Sequence, residues 1–374
     1  MAGIYLHIPF CKRRCHYCNF YALASERSRP EFVERILAEI DSRKDYLAGQ
    51  EIGSIYFGGG TPSLLSAEEL NRIFERLDIH FKLESHPEIT LEANPDDISE
   101  EWIRKLRDTP VNRISMGVQS FRDEDLRYLN RIHTATDAIN AVKHLQDSGY
   151  HNLTIDLIYG IPGLTLPAWE ENLDTFFSLQ LQHLSAYALT VEEKTPLHVM
   201  IAKKKMQAPD ENAVVGHFRK LQELSDKQGY LHYEISNFAR EGHYSRHNTI
   251  YWTGGHYLGL GPSAHSFNGH SRRWNISSIK KWIENPDNFS ENFEEEILSQ
   301  EQRYNEYVMT SLRTMWGCSL AMVRTAFGED YAVYLIQEAK PHMLTEKLLL
   351  KNDTLFLSAK GKLFADGIAS DLFR

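Results

Sequence analysis

The stretch Ile4-Tyr5-Leu6-His7-Ile8-Pro9-Phe10-Cys11-Lys12-Arg13-Arg14-Cys15-His16-Tyr17-Cys18-Asn19-Phe20-Tyr21 decides how the rest of the chain is read. An apolar, strand-like run ends at a Pro-Phe step, and three of the protein's four cysteines then follow as C-x3-C-x2-C. Three thiolates on one short loop can take three corners of a metal centre and leave a further position open. A structural zinc site usually needs four protein ligands in paired spacing. Cys318, the remaining cysteine, lies far away in a helical pattern and reads as a plain thiol. His16 is a candidate fourth zinc ligand, but it sits between two of the thiols, where a turn directs it elsewhere. The loop alone leaves zinc and an open iron–sulfur site both standing.

At 374 residues the chain has room for one large domain and a smaller one. Its apolar fraction of 42% and charged fraction of 25% are those of an ordinary globular protein. No apolar run approaches the roughly 20 residues of a membrane span, and the N-terminus lacks a signal peptide's basic flank and apolar core. A cytoplasmic location is the expectation. A net charge of −10 argues against broad nucleic-acid binding. The bunched cysteines do not read as a secreted disulfide framework.

Outward from the thiols, strand-like and helical patterns alternate. Strands are expected at Gly3–Ile8, Ser54–Phe57, Glu88–Glu92, Arg113–Val118, Leu153–Tyr159 and His183–Leu189. Helices are expected near Pro30–Leu47, Ala67–His80, Ser99–Arg107, Asp123–Asn130, Thr136–Ser148 and Pro167–Leu179. The strand runs read as mostly apolar, as for parallel strands covered by helices. Six such units predict an α/β fold, a partial (β/α)6 barrel over residues 1–200. The strand ends are polar or glycine-rich: Gly58-Gly59-Gly60-Thr61-Pro62, Glu92-Ala93-Asn94-Pro95, Gly117-Val118-Gln119-Ser120, and Asp156 with Gly160-Ile161-Pro162-Gly163. In a parallel barrel those ends form the functional face.

Lys203-Lys204-Lys205 and Pro209 mark a linker into an extension, residues 201–290, with a helix at Glu211–Lys227 and a strand or arm at Tyr230–Ala239. This extension carries His243, His247, Asn248, Tyr251, Trp252, His256 and His265 in one stretch rich in histidine, glycine and aromatics. Helical patterns followed by a hairpin at Lys347–Leu357, turning at Asn352-Asp353, predict a winged-helix-like α+β domain over 291–374. Such folds often bind DNA, but the acidic balance points to packing or partner docking.

The thiol loop after a first strand, with its following aromatic, resembles the signature of the radical S-adenosylmethionine superfamily. The wider set (YxHIPFC, GGGTP, LE-x-NP, SMGVQSF and IDLIYGIPG) is similar to oxygen-independent coproporphyrinogen III oxidases and their relatives. The resemblance implies a [4Fe–4S] cluster on Cys11, Cys15 and Cys18, with S-adenosylmethionine chelating the remaining iron. It implies cofactor contacts at Tyr5, Gly59, Gly60, Thr61, Glu92, Gln119, Arg131 and Asp156, and more loosely at Ala188 and His265. The glycines would let carbonyls approach the methionine amino group.

Two departures narrow the branch. The oxidases carry a fourth cysteine two residues after the third, where this chain has Phe20, and they carry a long extension before the first strand. The sequence instead resembles the HemW branch of haem chaperones, whose H-N-x-x-Y-W marker is present as His247-Asn248-Thr249-Ile250-Tyr251-Trp252. An imidazole can ligate haem iron, while Tyr251 and Trp252 can cover porphyrin. Spacing alone favours His247 as a buried residue that caps or hydrogen-bonds a loop, with Trp252 in the core; the resemblance turns the reading to haem, and His243, His256 and His265 are competing ligands.

The resemblance thus implies a chaperone with haem as cargo and an apo-haemoprotein, such as a respiratory enzyme, as acceptor. It leaves peripheral membrane association and a homodimer open, and leaves open whether the protein is an enzyme at all. The alternatives are an oxidase decarboxylating porphyrinogen propionates and a cluster-based redox or iron sensor that docks on a protein partner.

Overall fold

Six parallel strands, β1 (Ala2–Ile8), β2 (Ile52–Gly59), β3 (Leu83–Ala93), β4 (Arg113–Gln119), β5 (Leu153–Tyr159) and β6 (His183–Ala188), pair in sequence order. They belong to a computed structural model that describes residues 2–284 and 289–374, so 285–288 of the expected 201–290 extension lie outside the described residues. Crossover helices include Arg29–Arg43, Ala67–His80, Ala135–Asp147 and Leu166–Ser178. Several start where the sequence supplies a cap: Ser66 and Thr134 each form a reciprocal capping box with Glu69 and Asp137.

Each strand has two unlike faces. Ile4, Leu6, Ile55, Phe57, Ile89, Leu91, Ile114, Met116, Ile155, Leu157 and Leu184 are buried in one core with helix residues such as Phe32, Phe74, Val142 and Phe176. The alternate positions are polar or aromatic: Tyr5 and His7, Ser54 and Tyr56, Glu88 to Glu92, Arg113, Thr154 and Asp156, His183 and Ser185. The mostly apolar reading of the strands thus holds for one side of each. Their helix-facing side makes the core, and the other side lines a polar interior.

The sheet also runs past the six strands. Beyond β6 it adds Asn237–Ala239 and Leu231–Glu234, both antiparallel. Beyond β1 it adds His256–Leu260, parallel, with Gly3 opposite Tyr257 and Tyr5 opposite Gly259. Three further strands, His265–Phe267, Ser271–Asn275 and Phe293–Ile297, complete a 12-stranded sheet. Residues 201–290 thus build onto both edges of the barrel sheet, and Tyr230–Ala239 is a tight hairpin instead of one arm.

Gly259 marks how closely the strand His265–Phe267 folds back on His256–Leu260, since a Cβ there would lie 2.0 Å from the His265 carbonyl oxygen. Gly259→Ala should therefore displace that strand and lower stability by about 3 kcal/mol. Thermal melting checks this, and an unchanged Tm would contradict the packing.

A second core gathers Tyr304, Val308, Leu320, Val323, Leu335, Leu348, Leu355 and Ile368. It is built by helices Gln300–Leu312, Leu320–Phe327 and Glu329–Leu344 and a hairpin, Leu348–Lys351 with Thr354–Leu357. Asn352 and Asp353 turn the hairpin with φ of 48° and 59°, the left-handed pair that a two-residue turn requires. This helices-then-hairpin order is the winged-helix-like one. Cys318 is buried here, its thiol pushed up to about 12 by burial. No helix among the described residues is long and apolar enough to cross a membrane.

Candidate functional site

The thiol loop leaves β1 and is pinned from three directions. Cys11 N donates to the Leu23 carbonyl at 2.9 Å, His16 N to the Leu129 carbonyl at 3.2 Å, and Leu197 N to the His16 carbonyl at 2.8 Å. His16 Nδ1 lies 2.9 Å from the Tyr128 carbonyl, which engages that nitrogen away from the sulfurs. Burial pushes the Cys11 thiol up to about 11, against a hydrogen bond with Thr61, and the Cys15 and Cys18 sulfurs raise it further. Burial also raises Cys18. Arg131 Nη1 donates to Cys15 Sγ at 3.3 Å. Burial works against that guanidinium's charge, but Tyr17 and Cys15 outweigh it and its pKa rises.

Three soft sulfur donors beside a half-buried cation suit a thiolate-ligated iron cluster. Among the described residues no three His, Cys, Asp or Glu converge tightly enough to hold a single metal ion.

Next to them lies the glycine loop. Gly60 N donates to the Ile8 carbonyl at 2.8 Å, and a Cβ on Gly60 would sit 2.6 Å from the Phe10 carbonyl oxygen, so only glycine lets this loop press against the chain entering Cys11. Glu92, near the end of β3, accepts from Tyr56 Oη at 2.8 Å and Gly59 N at 3.1 Å. Its carboxyl is pushed up to about 7, chiefly by burial and further by Asp156. Asp156 is itself pushed up to about 6 by burial, against a bond from Ser185.

Asn94 joins the two halves. It donates to Thr61 Oγ1 at 3.2 Å and accepts from Arg131 Nη2 at 2.5 Å, while Nη2 also donates to the Gly117 carbonyl at 2.7 Å. Gln119 holds φ at 69°, and its amide crowds the space where a Gly117 Cβ would be. Tyr5 stacks beside Tyr56, ring centroids 6.1 Å apart.

The structure thus brings Thr61 to Cys11 and Arg131 to Cys15, sets Gly59, Gly60, Glu92 and Gln119 at or just past the ends of their strands, and leaves Tyr5 and Asp156 mid-strand on β1 and β5. Ala188 closes β6, and His265 lies exposed on an added strand, close enough that its charge helps lower the His7 pKa. Tyr56, Asn94 and Ser185 were not singled out from sequence. Asn94 stood in a quoted motif, and Tyr56 and Ser185 fall on the polar side of the two-residue alternation.

The H-N-x-x-Y-W residues lie elsewhere, on the helix Arg246–Trp252 against the starts of β1 and β2. Ser245 caps this helix, and buried Glu88 accepts from Arg246 N at 3.2 Å and His247 N at 3.1 Å, placing a carboxylate where helix amides are free. His247 is 1% exposed. Its Nδ1 is 2.8 Å from Ser54 Oγ and its Nε2 2.9 Å from Tyr251 Oη. A neutral imidazole has one donor and one acceptor nitrogen, so one hydroxyl donates to the ring and the other accepts from it. Burial, helped by Arg113, lowers its pKa to about 3.

A Cβ on Gly3 would lie 3.2 Å from His247 Cε1 and 2.9 Å from Ile250 Cδ1, which explains the glycine opposite this helix. Tyr251 and Trp252 are half-buried, and the Arg313 guanidinium lies 5.4 Å from the Trp252 ring. Asn248 is half-buried, with its amide on the Ser245 cap. In this conformation His247 offers no free nitrogen to solvent. Of the competing histidines, His243 is exposed and His256 is paired with Gln50.

A family model described as "Radical SAM superfamily" matches residues 5–176. Heme chaperone HemW of Bacillus subtilis is 32% identical over 98% of this chain and 98% of its own length. Heme chaperone HemW of Lactococcus lactis is 32% identical over 92% and 90%, and that of Escherichia coli 35% over 70% and 69%. Among solved structures, the radical SAM coproporphyrinogen III oxidase HemN of Escherichia coli superposes with a TM-score of 0.85 at 22% identity, covering 100% of this chain and 90% of that one. That likeness shows the fold.

Proposed function

The chain belongs to the HemW family of the radical SAM superfamily, and from that membership we propose a haem chaperone that binds haem and transfers it to an apo-haemoprotein, a respiratory enzyme being the expected class. The observation that carries this reading is His247: an imidazole kept neutral by burial, with Tyr251 on one nitrogen. A neutral imidazole is the form that ligates haem iron. In this reading Tyr251 Oη leaves Nε2 as iron arrives, while Tyr251, Trp252 and Asn248 contact the macrocycle.

Cys11, Cys15 and Cys18 would hold a [4Fe–4S] cluster with S-adenosylmethionine on its open iron. When bound, the pair supplies a one-electron site. The chain's own residues supply the rest. Arg131 would balance thiolate charge at Cys15, Glu92 would accept N–H bonds from the methionine amino group beside Gly59, Gly60 and Thr61, and Asp156 would serve the ribose hydroxyls. Tyr5 and Gln119 close the cradle. Phe20, 63% exposed where the oxidases have a cysteine, supports the chaperone reading over decarboxylation.

One pH dependence follows. Glu92 is protonated below about 7, yet it must be a carboxylate to accept those bonds. Affinity for S-adenosylmethionine should fall up to about tenfold per unit as pH drops below 7 and level off above it. Glu92→Gln should bind more weakly and lose much of that slope. Titrations followed by the cluster's EPR signal at pH 6 to 8 check this, and a wild-type curve as flat as the variant's would contradict it.

The function itself is tested by mixing haem-loaded protein with an apo-cytochrome. Transfer of the Soret band to the acceptor is expected. Turnover of coproporphyrinogen III without haem transfer would overturn the proposal in favour of an oxidase.

A further inference from the structure

The cradle at the strand ends and the helix Arg246–Trp252 are joined by one unbroken run of contacts. Gly59 N donates to one Glu92 oxygen at 3.1 Å, and Tyr56 Oη donates to the other at 2.8 Å. The Tyr56 ring stacks on His247, centroids 5.1 Å apart and planes 29° from parallel. His247 Nε2 then meets Tyr251 Oη at 2.9 Å. Tyr5 braces the stack, 6.1 Å from Tyr56 and 6.3 Å from His247. Tyr56 is half-buried, and its hydroxyl donates to Glu92.

We propose that Tyr56 is a positioning residue that couples occupancy of the cofactor cradle to the His247–Tyr251 pair. A ligand amino group at Glu92 competes directly with Tyr56 Oη for the carboxylate. In a poorly solvated interior that hydroxyl must follow the carboxylate or find a new partner. Either movement tilts the ring against which His247 is stacked and strains the Nε2–Tyr251 bond. The pair made or broken is the two-state element such coupling needs. Coupling of binding is reciprocal, so haem held at His247 strengthens S-adenosylmethionine binding by the same factor that the cofactor strengthens haem binding. This inference rests on the proposed cofactor and haem sites.

The test uses full-length, cluster-loaded wild type and Tyr56→Phe, which keeps the ring and removes the hydroxyl. Ser54→Ala, which loosens the other nitrogen of His247 without touching the Tyr56–Glu92 bond, is the control. Hydrogen exchange at the amides of Arg246–Trp252 is read with and without S-adenosylmethionine, and cofactor binding is followed by the cluster's EPR signal. Wild type and Ser54→Ala should exchange about fivefold or more faster with the cofactor, and wild-type haem affinity should rise by a similar factor. Tyr56→Phe should still show the EPR change but lose both responses.

Equal responses in wild type and Tyr56→Phe would overturn the coupling. So would no exchange response in wild type whose EPR signal does change. An EPR signal indifferent to the cofactor would remove the cradle reading and the coupling with it. Absence of haem binding would sink the haem reading alone, because hydrogen exchange still decides the coupling.

Discussion

Cys15→Ala, reconstituted anaerobically with iron and sulfide, should retain no more than about a tenth of the wild-type iron and show no EPR response to S-adenosylmethionine. Three sulfurs are the whole protein contribution to the proposed cluster, and neither Cys318 nor His16 is placed to replace one. Cys318 is sealed in the C-terminal core, and His16 Nδ1 is held by the Tyr128 carbonyl. Removing Cys15 also strips Arg131 Nη1 of its sulfur partner, although its Nη2 bonds to Asn94 and Gly117 persist. The cysteine-loop geometry should therefore survive in the apo form, and the melting temperature should change little while iron is lost. Cys11→Ala and Cys18→Ala should behave alike, whereas Cys318→Ala should keep its iron. Wild-type iron content in any of the first three would contradict the three-thiolate assignment.

The next largest effects are expected at the imidazole. His247→Ala would open a cavity beside Tyr56 and leave the buried Ser54 hydroxyl without its partner, costing about 3 kcal/mol of stability. It should also lower haem affinity about a hundredfold and abolish the ligand-dependent Soret shift. Stability and binding are entangled in that variant, so Tyr251→Phe is the cleaner partner experiment. It removes only the hydroxyl at Nε2, frees the nitrogen for iron, and should tighten haem binding about fivefold, the equivalent of one buried hydrogen bond. Optical titration measures both. If the two variants bind haem as wild type does, the iron ligand lies elsewhere, and exposed His243 becomes the next candidate.

Local signals account for what could be read directly from the chain. Helices at Ala67–His80 and Glu211–Lys227 and the strand Leu153–Tyr159 lie where periodicity places them, because caps and alternation act over a few residues. The cluster loop and the polar strand ends were legible for the same reason. The polar lining of the barrel was also present in the alternation Tyr5, His7, Ser54, Tyr56, Glu88, Glu92, but apolar partners at the intervening positions made the strands read as mostly apolar.

Long-range closure was not legible. His256–Leu260 joins β1 in parallel across most of the chain, and nothing local marks its glycine-rich run as a strand. Nor can spacing show that His247 is buried. Its two hydroxyl partners come from Ser54, nearly two hundred residues earlier, and from Tyr251 one helical turn later. The motif proposed a ligand, and the tertiary structure shows Tyr251 holding the nitrogen that the proposed haem site would use.

The central claim, that this scaffold handles haem as cargo, is tested most directly by anaerobic optical titration of the cluster-loaded, full-length protein with haem. The account predicts saturation at one haem per chain, with a Soret shift that His247→Ala abolishes and Tyr251→Phe strengthens. A linear, unsaturable absorbance, together with decarboxylation of coproporphyrinogen III by the same preparation, would contradict it.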